Sequence, residues 1–288
     1  MNVSMYAYFS SMLYKKGIDC AIDFARKKGF SSVEFLEIPN VSRPLRIASV
    51  EQATEIKQAL DQNGLSVACY SLGITVLDPA TATPIEQNVG EILQAVEIAA
   101  ALGSPYFHHT LILNTSVTRY KDYLPFDALL DPLVSVALPI AKKANALGIK
   151  VLYEPQGFYV NGLDNFGAFY NRMKAEGCNV GVCGDLGNSL FVDVDPVDFV
   201  RTFGHEICHV HLKDYQTKPL AAPEETQSIG GNKLTQVILG DGCIDLNACF
   251  SLLREVGYSG AYALEGSYPD DAVEQGFDLE LDFLKKIL

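Results

Sequence analysis

Short apolar runs bounded by Gly or Pro recur along this chain, and a helical pattern follows each of them to the last residues. That rhythm limits the fold more than any other feature. Strand candidates are Val3–Phe9, Ser32–Pro39, Ser66–Gly73, Pro105–Leu113, Lys150–Pro155, Val180–Asp185, Ile207–Asp214 and Ala261–Ser267. They are rich in Val, Ile, Tyr and Phe, which suit a pleated, buried surface. Helix candidates begin with Ile18–Lys28, with Ile18, Ala21, Ile22 and Ala25 at helical spacing, and Val50–Gln62, with Val50, Ala53, Ile56 and Leu60. Pro84–Leu102 opens with Pro and closes before Gly103, as helix ends prefer. Phe126–Leu147, Asp164–Glu176, Pro196–Phe203, Leu246–Val256 and Asp271–Leu288 complete the set. Eight strands, each followed by a helix, predict an α/β chain folded as a single (β/α)8 TIM barrel, one domain over residues 1–288. A doubly wound open sheet would carry a glycine-rich turn after its first strand, and the run AYFSSMLYKKG has none. The long connections Thr110–Pro125 and Tyr215–Gly242 are expected as loops on the C-terminal face, where active sites of this fold lie.

Composition excludes several partners. Hydrophobic residues make up 48% of 288, enough to bury a sizeable core. A net charge of −13 and the lack of a basic run argue against nucleic acid, because a polyanion would be repelled. No stretch reaches the roughly 20 apolar residues of a membrane span. The N-terminal run MNVSMYAYFS lacks a basic n-region and a long apolar stretch. Seven scattered Cys without a CxxC pair read as reduced thiols, so a cytoplasmic protein is expected.

Four late segments each end in a residue type that binds divalent cations: VLYEP with Glu154, GVCGD with Asp185, HVHLKD with His211 and AYALEG with Glu265. Alternate side chains of a strand share a face. That rule pairs Leu152 with Glu154, Cys183 with Asp185 and Ala263 with Glu265, and groups His209, His211 and Lys213. If these faces line a barrel, three carboxylates and an imidazole converge at its mouth. Such a donor set suits Mn²⁺, Mg²⁺ or Co²⁺, with Zn²⁺ also compatible. Without a cation, the three carboxylates would repel one another. Taken singly, a turn carboxylate at Asp185 or a packed core histidine at His211 is the plainer reading, and only the joint placement favours a metal.

These motifs resemble the xylose-isomerase-like superfamily of sugar and sugar-phosphate isomerases and epimerases. The resemblance covers the whole barrel. It rests on the EP dipeptide at Glu154–Pro155, the HxHLKD run at His209–Asp214, GDGCID at Gly240–Asp245 and GYSGAYALEG ending at Gly266. It implies that Glu154, Asp185, His211 and Glu265 bind one divalent ion, Mn²⁺ first, and that Glu154 and Glu265 serve as the acid–base pair. It also implies a homo-oligomer, dimer or tetramer. The expected chemistry is removal and return of a proton beside a carbonyl through an enediolate stabilised by the ion. Return on the other face gives epimerisation; return at the neighbouring carbon gives isomerisation. Ketose 3-epimerases carry a His three residues after the metal-binding Asp, where this chain has Asn188, and an Arg shortly after the metal His, where it offers Lys213. Those departures bring a keto-inositol-type dehydratase forward as an alternative. A non-catalytic sugar-binding accessory protein is a third reading. An apurinic endonuclease relative would need more histidines than the five present.

For substrate contacts, the family pattern aligns on His109, while a shift of one residue selects His108. Gln156, Asn188 and Lys213 are candidates for holding substrate oxygens, with a salt bridge from Lys213 to Asp214 or another acid as its plainer role. His209, one inward step below His211, is expected to support the site. Glu34 is expected as a buried carboxylate pairing within the barrel, and Glu37 as a pocket residue. Tyr6, Tyr8, Phe9 and Tyr70 are candidates for an apolar wall against sugar C–H faces. Gly230–Gly231 alone is weak support for a phosphate cradle, and the acidic balance favours an uncharged substrate.

Overall fold

A computed structural model describes residues 2–38, 47–113, 116–220, 227–269 and 271–288. Eight parallel strands close into a barrel. They are β1 (Val3–Met5), β2 (Ser32–Glu37), β3 (Ser66–Leu72), β4 (Tyr106–His109), β5 (Lys150–Tyr153), β6 (Val180–Asp185), β7 (Ile207–Leu212) and β8 (Tyr262–Leu264). Each pairs with its neighbour in sequence, and β8 closes onto β1 through Val3–Tyr262, Ser4–Ala263 and Met5–Leu264. Helices between the strands bury their apolar stripes on the outside of the ring, with Ala21, Ile22 and Ala25 doing so in Ile18–Lys28 and Ala53, Ile56 and Leu60 in Val50–Gln62. No helix among the described residues is long and apolar enough to cross a membrane.

Several boundaries differ from the sequence expectation. β1 stops at Met5, so Tyr8 and Phe9 lie in an extra helix, Tyr8–Lys16, and not in a strand. Phe9 and Met12 bury one face of that helix, and the next begins after Gly17, whose φ of +88° suits a residue without Cβ. Apolar content alone could not separate a short strand from this helix. Thr83–Pro84 pairs with Leu77–Asp78, which delays the following helix to Glu86–Ala101. The connection expected as loop after β7 carries an antiparallel hairpin, Asp214–Pro219 with Asn232–Val237. Residues 221–226 and Pro39 lie outside the described residues.

The base of this hairpin is fixed by Asp214. Its carboxylate accepts N–H bonds from Tyr215 at 2.8 Å, Gly240 and Gly242 at 3.0 Å, and Ile244 at 3.3 Å. Burial pushes Asp214 up, and those four donors oppose the shift. Asp245 then caps the helix Leu246–Glu255 by accepting from Ala248 N. The GDGCID run therefore holds the loop after β7 in place.

Inside the barrel, side chains form layers. Cys69, Leu152 and Cys183 pack as a small apolar layer, separate from the main core between strands and helices. Glu34, in register with Cys69, and His209, in register with Cys183, are fully buried, as is Ser71. The candidate ligands sit above these, toward the C-terminal ends of the strands.

Candidate metal centre

Strand register brings the candidate ligands together. Asp185 stands opposite His211, and His211 opposite Ala263, two residues before Glu265. Glu154 follows the last residue of β5, and Glu265 the last of β8. One donor atom from each of Glu154, Asp185, His211 and Glu265 falls within 4.8 Å of all the others. His211 Nδ1 is 3.5 Å from Glu154 Oε1, 3.5 Å from Glu265 Oε2 and 4.0 Å from Asp185 Oδ2. His211 Nδ1 and Glu265 Oε2 are buried and make no hydrogen bond among the described residues. Buried polar atoms aimed at one another without partners are costly, and a shared cation would satisfy them. Three carboxylates and one imidazole are also hard-to-borderline donors that fit a small divalent ion.

The chain orients each ligand. Asp185 Oδ1 accepts from the backbone N of Gly187 and of Asn188, both at 2.7 Å, which turns Oδ2 toward the centre. Glu154 Oε1 accepts from Asn188 Nδ2 at 2.7 Å, and His108 Nε2 lies 3.1 Å from Oε2. Asn161 donates to the Asn188 carbonyl at 2.8 Å and so fixes the loop that carries this donor. Gln236 of the hairpin donates to the Glu265 carbonyl oxygen. Lys213 Nζ lies 2.8 Å from Asp185 Oδ2 and 3.0 Å from Glu265 Oε1.

Charge follows from this packing. Burial penalises the ionised form of Glu154, but the close approach and charge of His108 and His211 hold it well below the ordinary carboxylate range. Burial pushes Asp185 well up; Lys213 opposes the shift, and the carboxylates of Glu265 and Glu154 add to it. Burial works against the imidazolium of His211, yet Cys183 and the Glu34 and Glu154 carboxylates raise it well above its usual value. Lys213 is raised in the same way, against burial, by Asp185 and Glu265.

β4 decides between the two adjacent histidines. His108 is in register with Ser71 and Leu152, both lumen residues. His109 is in register with Leu72 and faces the helices. Its Nδ1 lies 3.2 Å from the Thr110 carbonyl, its ring meets Tyr153 edge-on at 5.6 Å, and burial lowers it to about 3. Of the two candidates, His108 therefore faces the lumen and His109 the helices. Strand alternation is the reason, because only one of two consecutive residues can face inward.

Other expectations divide the same way. Lys213 pairs with Asp185 and Glu265 and not with Asp214, so its charge is spent inside the site. Asn188 is buried against Glu154. Gln156 bonds through its backbone to Val160, and its Oε1 is buried without a hydrogen bond among the described residues. Glu37 lies away from the centre, clamped by Tyr14, Tyr70 and the backbone N of Ile47. Of the four wall candidates, Tyr6 reaches the centre, with its ring 4.5 Å from that of His211. Tyr70 and Phe9 pack with Phe35 in the outer core, and Tyr8 packs on Phe24 and Phe277. Asn161, Gln236 and Ser71 had no signal in the sequence. Their contacts arise between segments that are far apart in the chain.

The family described as xylose isomerase-like TIM barrel matches residues 22–287. The chain is 23% identical over 257 residues to a ketose 3-epimerase of Arthrobacter globiformis, covering 87% of this chain and 78% of the other. It is 27% identical over 106 residues to an inosose dehydratase of Clostridium beijerinckii, covering 36% and 35%. It superposes on D-psicose 3-epimerase from Clostridium cellulolyticum H10, solved with D-tagatose, with a TM-score of 0.75. That superposition covers 100% of this chain and 99% of the other at 15% identity, a likeness of fold.

Proposed function

We propose, for a chain that belongs to the xylose isomerase-like TIM-barrel family, a divalent-metal-dependent isomerase or epimerase acting on a small sugar, keto-sugar or related polyol. The observation that carries this reading is the buried His211 Nδ1, without a hydrogen bond and 3.5 Å from a carboxylate oxygen of both Glu154 and Glu265. Glu154, Asp185, His211 and Glu265 would hold the ion, with Mn²⁺ the first choice and Mg²⁺, Co²⁺ or Zn²⁺ compatible with the donors. Bound there, the ion would supply Lewis-acid polarisation of a substrate carbonyl and its neighbouring hydroxyl, worth several kcal/mol.

The side chains have distinct tasks. Glu154 is held ionised, so it can accept the proton from the carbon beside the carbonyl. Asn188 and His108 each engage one of its oxygens and restrict its swing. Glu265, with 29% of its side chain exposed, faces the open end of the barrel and can hold and return a proton from the other side. Lys213 balances the third carboxylate, since three negative charges exceed what one divalent ion neutralises. His108 Nδ1 makes no hydrogen bond among the described residues; with the ring proton on Nε2 facing Glu154, it is able to accept from a substrate hydroxyl.

The inosose dehydratase relatives support a second reading, loss of a β-hydroxyl after the same proton removal. A panel of ketoses and keto-inositols in D₂O with Mn²⁺, followed by NMR, separates the readings. Deuterium entry without loss of water supports the isomerase or epimerase; loss of water supports the dehydratase. Retained Mn²⁺ with no exchange on any compound would favour a non-catalytic sugar-binding protein and refute the first proposal. Glu154→Gln and Glu265→Gln are each expected to abolish exchange while the barrel stays folded.

A further inference from the structure

Glu34 is fully buried, and among the described residues no lysine or arginine pairs with it. It projects from β2 across the lumen to β7, 175 residues away in sequence. Its Oε2 lies 2.6 Å from His209 Nε2, and its Oε1 lies 3.0 Å from His211 Nε2 and 2.6 Å from the Ser71 hydroxyl, which donates to it. We propose that Glu34 is a positioning residue for the metal centre: it keeps the proton of His211 on Nε2 and so presents the Nδ1 lone pair to Glu154, Asp185 and Glu265.

An ionised carboxylate only accepts. Both imidazoles must therefore carry a proton on Nε2 to satisfy it, and the neutral His211 ring then has its free lone pair on Nδ1. The ring cannot easily turn to exchange its nitrogens. Tyr6 lies against its face at 4.5 Å, and the His209 ring stands at 87° to it at 5.3 Å. A hydrogen-bonded carboxylate behind a metal-binding histidine fixes tautomer and orientation together. The competing view is a second ion held by Glu34, His209 and His211, whose donor atoms also lie within 4.8 Å. That ion would displace the Nε2 proton from His211 and turn a ring already committed at Nδ1 into an imidazolate. The 2.6 and 3.0 Å separations are hydrogen-bond lengths, and the Ser71 hydroxyl also occupies the carboxylate.

This inference rests on the metal-site reading above, and its test separates the two. Protein labelled with ¹⁵N-histidine and loaded with diamagnetic Zn²⁺ is examined by two-bond ¹H–¹⁵N NMR, with the Zn²⁺ content measured per chain. The expected result is one ion per chain, a protonated His211 Nε2 and an Nδ1 resonance moved by Zn²⁺. Mn²⁺ affinity is then measured from the EPR signal of the free ion. Glu34→Gln offers one acceptor oxygen and an NH₂ group, so one ring loses its partner, and Mn²⁺ binding should weaken by about 10- to 100-fold. Glu37→Gln alters another buried carboxylate of β2 that lies off the centre, and should leave the affinity within about twofold. Two ions per chain, Zn²⁺ carried on His211 Nε2, or wild-type affinity in Glu34→Gln would overturn the role of Glu34. Should Glu34→Gln fail to fold, the wild-type NMR result decides alone. A folded wild-type chain that takes up neither Zn²⁺ nor Mn²⁺ would remove the metal site and this inference together. Uptake that is indifferent to Glu34→Gln would remove only the inference.

Discussion

Replacing Lys213 by Met should destabilise the metal-free protein and at the same time tighten its hold on a divalent ion. The ammonium is buried, 2.8 Å from Asp185 Oδ2 and 3.0 Å from Glu265 Oε1. Methionine keeps most of the volume and removes the charge. Without the ion, two buried carboxylates lose their nearest cation, and breaking a buried pair in this way costs about 3–5 kcal/mol. With the ion in place, the same oxygens face a double positive charge, and the cost should fall to about 1 kcal/mol. The difference, about 2–4 kcal/mol, must appear as stronger metal binding, because the two states are linked through one cycle. At 1.4 kcal/mol per tenfold, the gain in Mn²⁺ affinity should be at least about 25-fold. Urea unfolding midpoints measured in EDTA and in saturating Mn²⁺ read the first half; titration with Mn²⁺ reads the second. Both belong at pH 8, where Asp185, pushed up by burial, is less able to escape by taking a proton. If Lys213→Met is equally destabilised with and without Mn²⁺, or binds Mn²⁺ more weakly, the ammonium and the ion do not share those carboxylates and the charge argument fails.

Three further outcomes follow from the same structure. Gly242→Ala should destabilise the protein by more than about 2 kcal/mol in chemical denaturation, since a Cβ there would overlap Asp214 Oδ1 and lie 2.7 Å from the Tyr215 carbonyl oxygen. Burial raises Glu280 to about 7, against hydrogen bonds from Tyr268 and the Leu239 backbone. The folded chain therefore binds more protons than the unfolded one between about pH 4.5 and 7, and stability falls as pH rises through that window. Glu280→Gln should flatten this slope, which amounts to about 3 kcal/mol at most; an unchanged slope would show that Glu280 is not its source. Asn188→Asp should replace the donor 2.7 Å from Glu154 Oε1 with a like charge, raise Glu154, and move the acid limb of the exchange pH profile to higher pH. A limb that stays in place would argue that Glu154 is not the base.

The sequence by itself determined the barrel and which four candidate side chains meet at its mouth. Strand and helix periods are local, and a carboxylate or imidazole at the end of an apolar run keeps its place on the strand whatever surrounds it. Alternation also put Lys213 on the same face as His211. The choice between His108 and His109 was different, because both end the same strand and only the register of β4 against Ser71 and Leu152 turns one inward. Tyr8 and Phe9 were unreadable for another reason: a short apolar run suits a strand or a buried helix face equally, and packing against Phe24, Phe35 and Phe277 settled it. Closure of the ring was needed to bring Glu34 of β2 to the histidines of β7. The hairpin after β7 was needed to carry Gln236 to Glu265 and to close Gly240 and Gly242 around Asp214. Local chemistry is written residue by residue, whereas contacts between segments far apart in the chain exist only once the barrel has closed.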